Sequence, residues 1–284
     1  MKHYYLLGSP VRHSLSPAMM NLSFRSLGID AEYSLCETDA DSLSDTVCRI
    51  LSEGASGWNV TMPCKSAMAS LCDTLSDAAR IAGAVNTVAV TSLGLAGHTT
   101  DGTGFMNAAA SAGFPLPGRK ITLLGTGGAA SSILIQASLD GVSSVSVFYH
   151  RPTSAERVMQ IAEELSGLSK TRISLYSLDD TERLRKELLD STALINATNV
   201  GMSGTDPAGP SCLIPDSSYL PNHLFVYDII YHPAVTPLLA MADECGCPWS
   251  NGESMLIRQG AESFRIWTGR TMPLNEVTKL FHER

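Results

Sequence analysis

The stretch KITLLGTGGAASSILIQASL, residues 120–139, decides the fold. A short apolar run ends in a turn that contains Gly125, Gly127 and Gly128, and an apolar run of helical length follows. Strand, glycine turn and helix in this order form the dinucleotide fingerprint G-x-G-x-x-G/A, with Ala130 at its last position. The helix N-terminus would offer unpaired N–H groups to a pyrophosphate. The stretch therefore predicts a dinucleotide-binding unit, with a plain strand-to-helix turn as the alternative.

The rest of the chain alternates short apolar runs with runs of helical period, which is typical of βα units around parallel sheets. The segment VNTVAVTSLGLAGHTTD, residues 85–101, predicts a hairpin that turns at 92–94. Ser16-Pro17 has the letters of a helix N-cap and first helical position. The segment FPLPGRK, residues 114–120, marks the start of a second unit. We predict two α/β domains, with the helices of the C-terminal tail packing back on the first.

Composition and charge exclude several classes of protein. A length of 284 residues suits about two domains. A net charge of −8 argues against a nucleic-acid partner, which would need basic surface. The apolar run before Gly8 is too short for a signal peptide, and no run approaches the ~18 apolar residues of a membrane helix. We expect a cytoplasmic protein without a membrane partner. No pattern isolates an interface, so a homodimer stays open.

No metal site is expected from the cysteines or histidines. Seven cysteines form no paired framework, which favours free thiols in a reducing cytosol. Cys245 and Cys247 are too close together for a zinc half-site, and no second half follows them. The seven histidines are scattered.

The end of the second strand of the dinucleotide unit points to NADP. An NAD site needs an acid there to accept from the ribose 2′-hydroxyl. The strand SVSVFY, residues 144–149, is followed instead by His150, Arg151, Pro152 and Thr153. A guanidinium can pair with a 2′-phosphate through two hydrogen bonds, and a hydroxyl can add a third. A solvated loop arginine is the alternative interpretation of Arg151.

Polar residues in the first half of the chain cluster where predicted strands end, and ligands of open α/β sheets bind beyond such ends. Hydroxyls, amides, one lysine and one carboxylate suit a polyhydroxylated ligand; they are Ser14, Ser16, Asn59, Thr61, Lys65, Asn86, Thr100 and Asp101. An alcohol dehydrogenase needs a base for the hydroxyl proton, and a lysine held by a carboxylate can serve. Lys65 and Asp101 are the candidates. A surface lysine and a helix N-cap are their alternative roles.

Several motifs in these segments resemble one enzyme family over nearly the whole chain. They are GSPVRHSLSPAMMN, GWNVTMPCK, GAVNT, TDGTGF, LLGTGGAASS, NATNVGM, DIIYHPAVTPLL and GESMLIRQGAESFRIWTG. The chain resembles the shikimate dehydrogenase family, which includes shikimate/quinate dehydrogenases. The resemblance implies a substrate-binding catalytic domain at 1–101, completed by 252–284. It also implies a Rossmann-type, doubly wound NADP domain at 102–251.

The resemblance further implies the activity and the roles of residues. The family reversibly reduces 3-dehydroshikimate to shikimate with NADPH, a step towards the aromatic amino acids. Lys65 and Asp101 would form the catalytic dyad. The substrate would contact Ser14, Ser16, Asn59, Thr61, Asn86, Tyr231 and Gln259. The cofactor would contact Asp77, Gly125, Thr126, Gly127, Gly128, Ala129, His150, Arg151, Thr153, Ile229 and Gly252.

Departures from the family pattern keep other functions open. Thr99 stands where the family usually has Asn, and Pro152 stiffens the loop after Arg151. A quinate/shikimate or an aminoshikimate dehydrogenase, some of which use NAD, is the first alternative. A non-catalytic NADP-sensing module is the second, against which the intact Lys65 and Asp101 argue.

Overall fold

The protein, as a computed structural model, is described for residues 1–203 and 211–282. Contacts within the chain divide it into two units. We call Met1–Gly104 with Ile257–Arg284 the N-terminal unit, and Phe105–Leu256 the central unit. Within the described residues, no helix is both long and apolar enough to cross a membrane.

Strands and helices alternate along most of the chain. The first part of the N-terminal unit contains β1 (Lys2–Gly8), α1 (Ser16–Ser26), β2 (Ala31–Glu37), α2 (Leu43–Ser52), β3 (Ala55–Val60), α3 (Lys65–Leu71), β4 (Thr74–Leu75), α4 (Asp77–Ala82), β5 (Thr87–Thr91) and β6 (Gly94–His98). There follow α5 (Asp101–Ser111), β7 (Lys120–Leu124), α6 (Gly128–Leu139), β8 (Ser144–Tyr149), α7 (Pro152–Leu165), β9 (Arg172–Ser177), α8 (Thr181–Leu189), β10 (Ala193–Asn196), a 3₁₀ helix (Ser217–Tyr219), β11 (Phe225–Asp228), α9 (Pro237–Glu244) and β12 (Trp249–Ser250). The chain ends with α10 (Glu253–Thr268) and α11 (Leu274–His282).

The sheet of the N-terminal unit is mixed. Its strand order is β2-β1-β3-β5-β6-β4. The first three strands run parallel, and the hairpin β5–β6 adds antiparallel to β3. The hairpin predicted from the sequence is confirmed, and the Leu93 N–H donates to Thr91 Oγ1 across its turn. The antiparallel pair sets Thr87, the first residue of β5, directly opposite Asn59 on β3.

The C-terminal helices complete the core of the N-terminal unit, as predicted. Trp267 of α10 stacks on Tyr4 of β1 at 4.7 Å between ring centroids, and its indole N–H donates to the Val88 carbonyl at 2.9 Å. Phe24 of α1 contacts both Tyr4 and Phe264. Aromatic side chains dominate this core because their large apolar area leaves water on folding.

The helix predicted after Ser16-Pro17 is present, but its N-cap is not Ser16. Helix α1 includes Ser16, Leu15 takes the N-cap position, and no side chain caps the end. The Ser16 hydroxyl accepts instead from the hydroxyl of Ser14. The two serine hydroxyls therefore lie together at the start of α1.

The central unit contains a parallel sheet in the order β12-β11-β10-β7-β8-β9. The order reverses at β7, as in the doubly wound dinucleotide-binding fold. Leu124 at the end of β7 lies opposite Asn196 of β10, which in turn lies opposite Asp228 of β11. The Rossmann-type fold predicted from the glycine stretch is confirmed, and these strand ends lie at one edge of the sheet. Buried Leu, Val and Phe side chains pack between the sheet and its helices.

Candidate active site

Lys65 and Asp101 form an ion pair in the N-terminal unit. Each is the first residue of a helix, Lys65 of α3 after β3 and Asp101 of α5 after β6. Lys65 Nζ donates to Asp101 Oδ2 across 2.7 Å. The side chains are 33% and 19% exposed, so the ammonium is held by a carboxylate yet remains open to a ligand. The structure thus brings together the two residues that the sequence offers as a proton-transfer pair.

Asn86 holds the second oxygen of the Asp101 carboxylate. Its side-chain Nδ2 donates to Asp101 Oδ1 across 2.8 Å and to Thr100 Oγ1 across 3.0 Å. Asn86 is buried, with 4% of its surface exposed. The carboxylate is therefore bonded on both oxygens, by an ammonium and by an amide.

The other predicted substrate residues of the N-terminal unit differ in how free their polar atoms are. Ser14 and Ser16 are half-buried and bonded to each other at 3.1 Å. Thr61 is half-buried just beyond β3. Gln259 of α10 is half-buried and accepts from the Thr100 hydroxyl at 3.5 Å. Hydroxyl and amide groups are thus available from three separate segments of this unit.

Asn59 differs from these residues because its amide faces inward. Asn59 Oδ1 accepts from the Tyr33 hydroxyl, and Nδ2 donates to the Asn86 carbonyl, Thr87 Oγ1 and Ser263 Oγ. The residue is 7% exposed. The predicted contact between Asn59 and a substrate would require Asn59 to break one of these hydrogen bonds.

The glycine turn of the central unit exposes its backbone at Gly127 and Gly128. Gly125 has φ +105°, and a Cβ there would lie 2.9 Å from Thr198 Cγ2. Gly127 is extended at the N-cap of α6, Gly128 is the first helical residue, and a Cβ on either would meet nothing within 4 Å. Gly125 is therefore needed for the turn, whereas Gly127 and Gly128 give a ligand access to backbone N–H groups.

This turn opens into a cavity of about 870 Å³. Most of its remaining lining comes from the loop after β8, the segment after β10 and the segment after β11, and Leu178 and Leu213 complete it. Of the predicted cofactor residues, the lining includes Gly125, Thr126, Gly127, Gly128, Ala129, His150, Arg151 and Ile229. Tyr231, predicted as a substrate contact, also lines it and is 53% exposed.

Three predicted cofactor residues lie elsewhere. Thr153 is exposed and does not line the cavity, whereas its neighbour Ser154 does. Gly252 is buried against the Ile229 backbone and donates its N–H to the Ile230 carbonyl, so it supports the lining from behind. Asp77 is an exposed residue of α4 in the N-terminal unit, 3.5 Å from Arg80 Nη2.

The loop after β8 presents a cation to the cavity. Tyr149 ends the strand, and the exposed residues His150 and Arg151 follow before α7 begins at Pro152. Ser154 Oγ donates to the Arg151 carbonyl across 2.6 Å, which fixes the backbone at this point. Bare N–H groups at the glycine turn and a guanidinium on the next loop fit a dinucleotide with a 2′-phosphate.

Asp228, which was not predicted as a site residue, accepts from the backbone N–H of Ile230, a residue of the cavity lining. It is fully buried at the end of β11 and accepts from Asn196 Nδ2, the Ile230 N–H and the Thr236 hydroxyl. Burial raises the pKa of Asp228, and the three donors oppose that rise. The sequence signal was an acid directly after an apolar strand. Its partners lie up to 32 residues away, so the strand pattern alone does not reveal the cluster.

Within the described residues, no group of three or more His, Cys, Asp or Glu side chains is placed to hold a metal ion. Thr100 belongs to the polar cluster predicted from the sequence, whereas Thr87 and Ser263 were not predicted; all three are buried and bonded around Asn86 or Thr87. Ser263 carried no sequence signal, because it is one polar residue inside an amphipathic helix.

The sequence of the chain matches known protein families at both ends. The family model described as "Shikimate dehydrogenase substrate binding domain" matches residues 6–88, and the model "Shikimate 5'-dehydrogenase C-terminal domain" matches residues 252–280. The chain is 40% identical over 275 residues to the shikimate dehydrogenase (NADP(+)) of Listeria monocytogenes, covering 97% of this chain and 94% of that relative.

Two solved structures are similar to the chain over almost all of its length. One is shikimate 5-dehydrogenase from Listeria monocytogenes in complex with shikimate and NAD, with a TM-score of 0.94, 39% identity, and coverage of 99% of this chain and 96% of that one. The other is shikimate 5-dehydrogenase from Thermus thermophilus in complex with NADP(H) and shikimate, with a TM-score of 0.81, 30% identity, and coverage of 98% of both chains.

Proposed function

The chain belongs to the shikimate dehydrogenase family, and from this premise we propose that it catalyses the reversible, NADPH-dependent reduction of 3-dehydroshikimate to shikimate. The observation that carries the proposal is the Lys65–Asp101 pair at 2.7 Å, with Asn86 on the second carboxylate oxygen. An ammonium held in this way can exchange a proton with a ring alcohol. In a cell the reaction would serve the synthesis of aromatic amino acids.

The N-terminal unit would hold the substrate. In this proposal residues 1–101, completed by 252–284, form the substrate-binding catalytic domain. Ser14 and Ser16 bind the substrate carboxylate, since their hydroxyls lie together and half-exposed at the start of α1. Thr61, Asn86 and Gln259 bind ring hydroxyls.

Lys65 would act as the general acid and base. In the direction of reduction its ammonium donates a proton to the oxygen that develops negative charge, and in oxidation the neutral amine takes that proton back. Asp101 accepts a hydrogen bond from the ammonium and fixes its direction. The bond from Asn86 prevents the carboxylate from rotating away from Lys65.

The central unit would hold NADP. In this proposal residues 102–251 form the NADP-binding domain, in which the N–H groups of the glycine turn bind the pyrophosphate and Arg151 binds the 2′-phosphate. His150 and Ser154 line the cavity beside Arg151 and would contact the same end of the cofactor. Ile229 and Tyr231 line the cavity beyond β11. When bound, the reduced nicotinamide supplies the hydride.

A two-substrate, two-cofactor assay tests the proposal. Initial rates are measured with shikimate and quinate, each with NADP and with NAD, because a quinate dehydrogenase shares the fold and two solved relatives hold NAD. We expect the highest kcat/KM for shikimate with NADP. A higher kcat/KM for quinate with NAD would replace the proposal with a quinate dehydrogenase.

Location and assembly belong to the same proposal. A cytoplasmic location is supported by membership of a biosynthetic family, and cell fractionation tests it. A homodimer is supported only by exposed apolar side chains such as Leu93 and Met62, at 82% and 75% exposure. Sedimentation equilibrium of the full chain tests the assembly.

A further inference from the structure

The orientation of one buried amide controls the surroundings of Asp101. Asn86 presents Nδ2 to Asp101 Oδ1 at 2.8 Å, while Lys65 Nζ lies 2.7 Å from Oδ2. If the amide were flipped, its oxygen would face a carboxylate oxygen, and two acceptors would repel each other. The bond that fixes the carboxylate, and with it the lysine, therefore depends on what holds the Asn86 amide in place.

Two residues hold this amide through its oxygen. The Thr87 hydroxyl and the Thr100 N–H each donate to Asn86 Oδ1 across 2.9 Å, and the Thr100 hydroxyl makes a longer contact of 3.2 Å with the same atom. The Thr100 hydroxyl is also the acceptor for Asn86 Nδ2. Thr87 is thus the side chain with the shorter donor bond to Oδ1, and a substitution can remove that bond.

Hydrogen bonds to two other side chains hold Thr87 in place. It is fully buried, its hydroxyl accepts from Asn59 Nδ2 at 3.0 Å, and Ser263 Oγ lies 2.8 Å away. An amide oxygen only accepts, so the Thr87 hydroxyl is the donor in its bond to Asn86 Oδ1. The Ser263 proton has two acceptors within reach, Thr87 Oγ1 and the Gln259 carbonyl at 3.1 Å. The Tyr33 hydroxyl anchors Asn59 through a bond of 2.9 Å to Oδ1.

We propose that Thr87 is a positioning residue for proton transfer, acting through Asn86 on the Asp101–Lys65 pair. The inference rests on the proposed function, because it concerns the efficiency of that proton transfer. Thr87 is 0% exposed, so its effect passes through Asn86 and not through contact with a ligand. Loss of its hydroxyl leaves the amide oxygen with Thr100 alone, and the amide gains freedom to turn.

The test uses the full chain with three variants, Thr87→Val, Thr87→Ser and Asn86→Ala. Valine keeps the shape and the β-branch of threonine, while serine keeps the hydroxyl. For T87V we expect kcat for shikimate oxidation to fall about five- to tenfold, as for the loss of one internal hydrogen bond. The KM for shikimate should change less than about twofold, because the substrate contacts remain. T87S should regain most of kcat.

A double-mutant cycle separates positioning from a general loss of structure. If Thr87 acts through Asn86, T87V added to N86A should lower kcat no further. An equal fall in both backgrounds would overturn the inference, and so would a T87V enzyme with the kcat of the parent. Should T87V fail to fold, Thr87→Ala takes its place, with the same expected loss and the same disappearance in N86A; an unchanged kcat overturns the proposal.

The parent enzyme separates failure of the proposed function from failure of the positioning role. If it does not oxidise shikimate with either cofactor, the proposed function fails and this inference fails with it. If it does so and the Thr87 variants match it, only the inference fails.

Discussion

At the scale of single residues, the Lys65 ammonium has one bonded partner within the described part of the chain and stays partly exposed. Asp101 occupies the partner position at 2.7 Å, and a third of the lysine side chain stays exposed. The sequence could predict this pair, since both residues follow strands of one predicted sheet. It could not predict Ser263, whose partner Thr87 lies 176 residues away. Contacts over such distances come from packing of the whole unit and leave no local pattern.

Replacing Lys65 by alanine tests the proton transfer. We expect K65A to lose at least ~100-fold in kcat, because general acid–base catalysis typically contributes 10²–10⁴-fold. Binding of NADPH, followed by fluorescence titration, should be retained. Lys279→Ala, on exposed surface of α11, is the matched control and should keep the parent rate. A K65A loss under about threefold would remove Lys65 from the mechanism.

Replacing Arg151 by alanine tests the choice of cofactor. A guanidinium bonded to a phosphate is worth more than a neutral hydrogen bond, so R151A should raise the KM for NADP on the order of tenfold or more. The KM for NAD, which lacks the 2′-phosphate, should hardly change. Arg172→Ala, at an exposed position in β9, controls for the loss of one positive charge. Equal losses with both cofactors would rule out phosphate binding by Arg151.

At the scale of elements, the strand ends of the central unit build the cavity. The sequence predicted β7, the glycine turn and α6 because a short apolar run, three glycines and an apolar run of helical length follow one another there. It missed the two-residue strands β4 and β12, which are too short for any alternation to be visible. It also missed Asp228, which ties the ends of β10 and β11 to the start of α9.

The two ends of the glycine turn should respond differently to alanine. Gly125→Ala places a Cβ at a left-handed φ of +105° and against Thr198, so we expect the free energy of unfolding to fall by at least about 1 kcal/mol. Gly127→Ala meets no atom within 4 Å at an extended φ, so its thermal midpoint should match the parent. Its new methyl group should instead weaken NADP binding in calorimetry. Equal thermal midpoints for both variants would contradict these separate roles of the two glycines.

The burial of Asp228 predicts the sign of a pH dependence of stability. Burial raises its folded pKa, so the folded protein holds this proton more tightly than the unfolded chain does. The resulting stability is present below the unfolded pKa of ~3.9 and is lost as pH rises through the folded value. The unfolding free energy of the parent, relative to Asp228→Asn, should therefore fall as pH rises through this range. Urea titrations at a series of pH values measure it, and a rise in the same window would contradict the sign.

At the scale of the whole molecule, two units divide the chain, and one of them is discontinuous in sequence. The sequence indicated this arrangement because its last part is helical and resembles a family in which these helices complete the first domain. Trp267 and Phe264 then pack on β1 and α1 of the N-terminal unit. The contacts between particular aromatic side chains could not be predicted from residue spacing, because they depend on side-chain shape within a filled core.

Hydrogen exchange can test the proposal that the central unit binds NADP and the N-terminal unit binds the substrate. NADP alone should slow exchange in peptides that contain residues 126–129, because its phosphates would occupy N–H groups there, whereas the Gly125 N–H already donates to the Phe148 carbonyl. Shikimate alone should slow exchange in peptides around Lys65 and Asn86. Protection by shikimate confined to the central unit would contradict the proposed assignment of substrate to the N-terminal unit. The unliganded protein in the same buffer provides the reference.

The exposed position of Arg151 has an evolutionary consequence. The residue stands on a surface loop, whereas Lys65, Asp101 and Asn86 are carried by a different unit and bonded to one another. If Arg151 binds the 2′-phosphate as proposed, mutations in this loop can change the coenzyme preference without disturbing the Lys65–Asp101 pair or the folded cores. A few nucleotide changes in such a gene could therefore turn a biosynthetic, NADP-dependent enzyme into a catabolic, NAD-dependent one. The altered enzyme would still act on the same hydroxyl group.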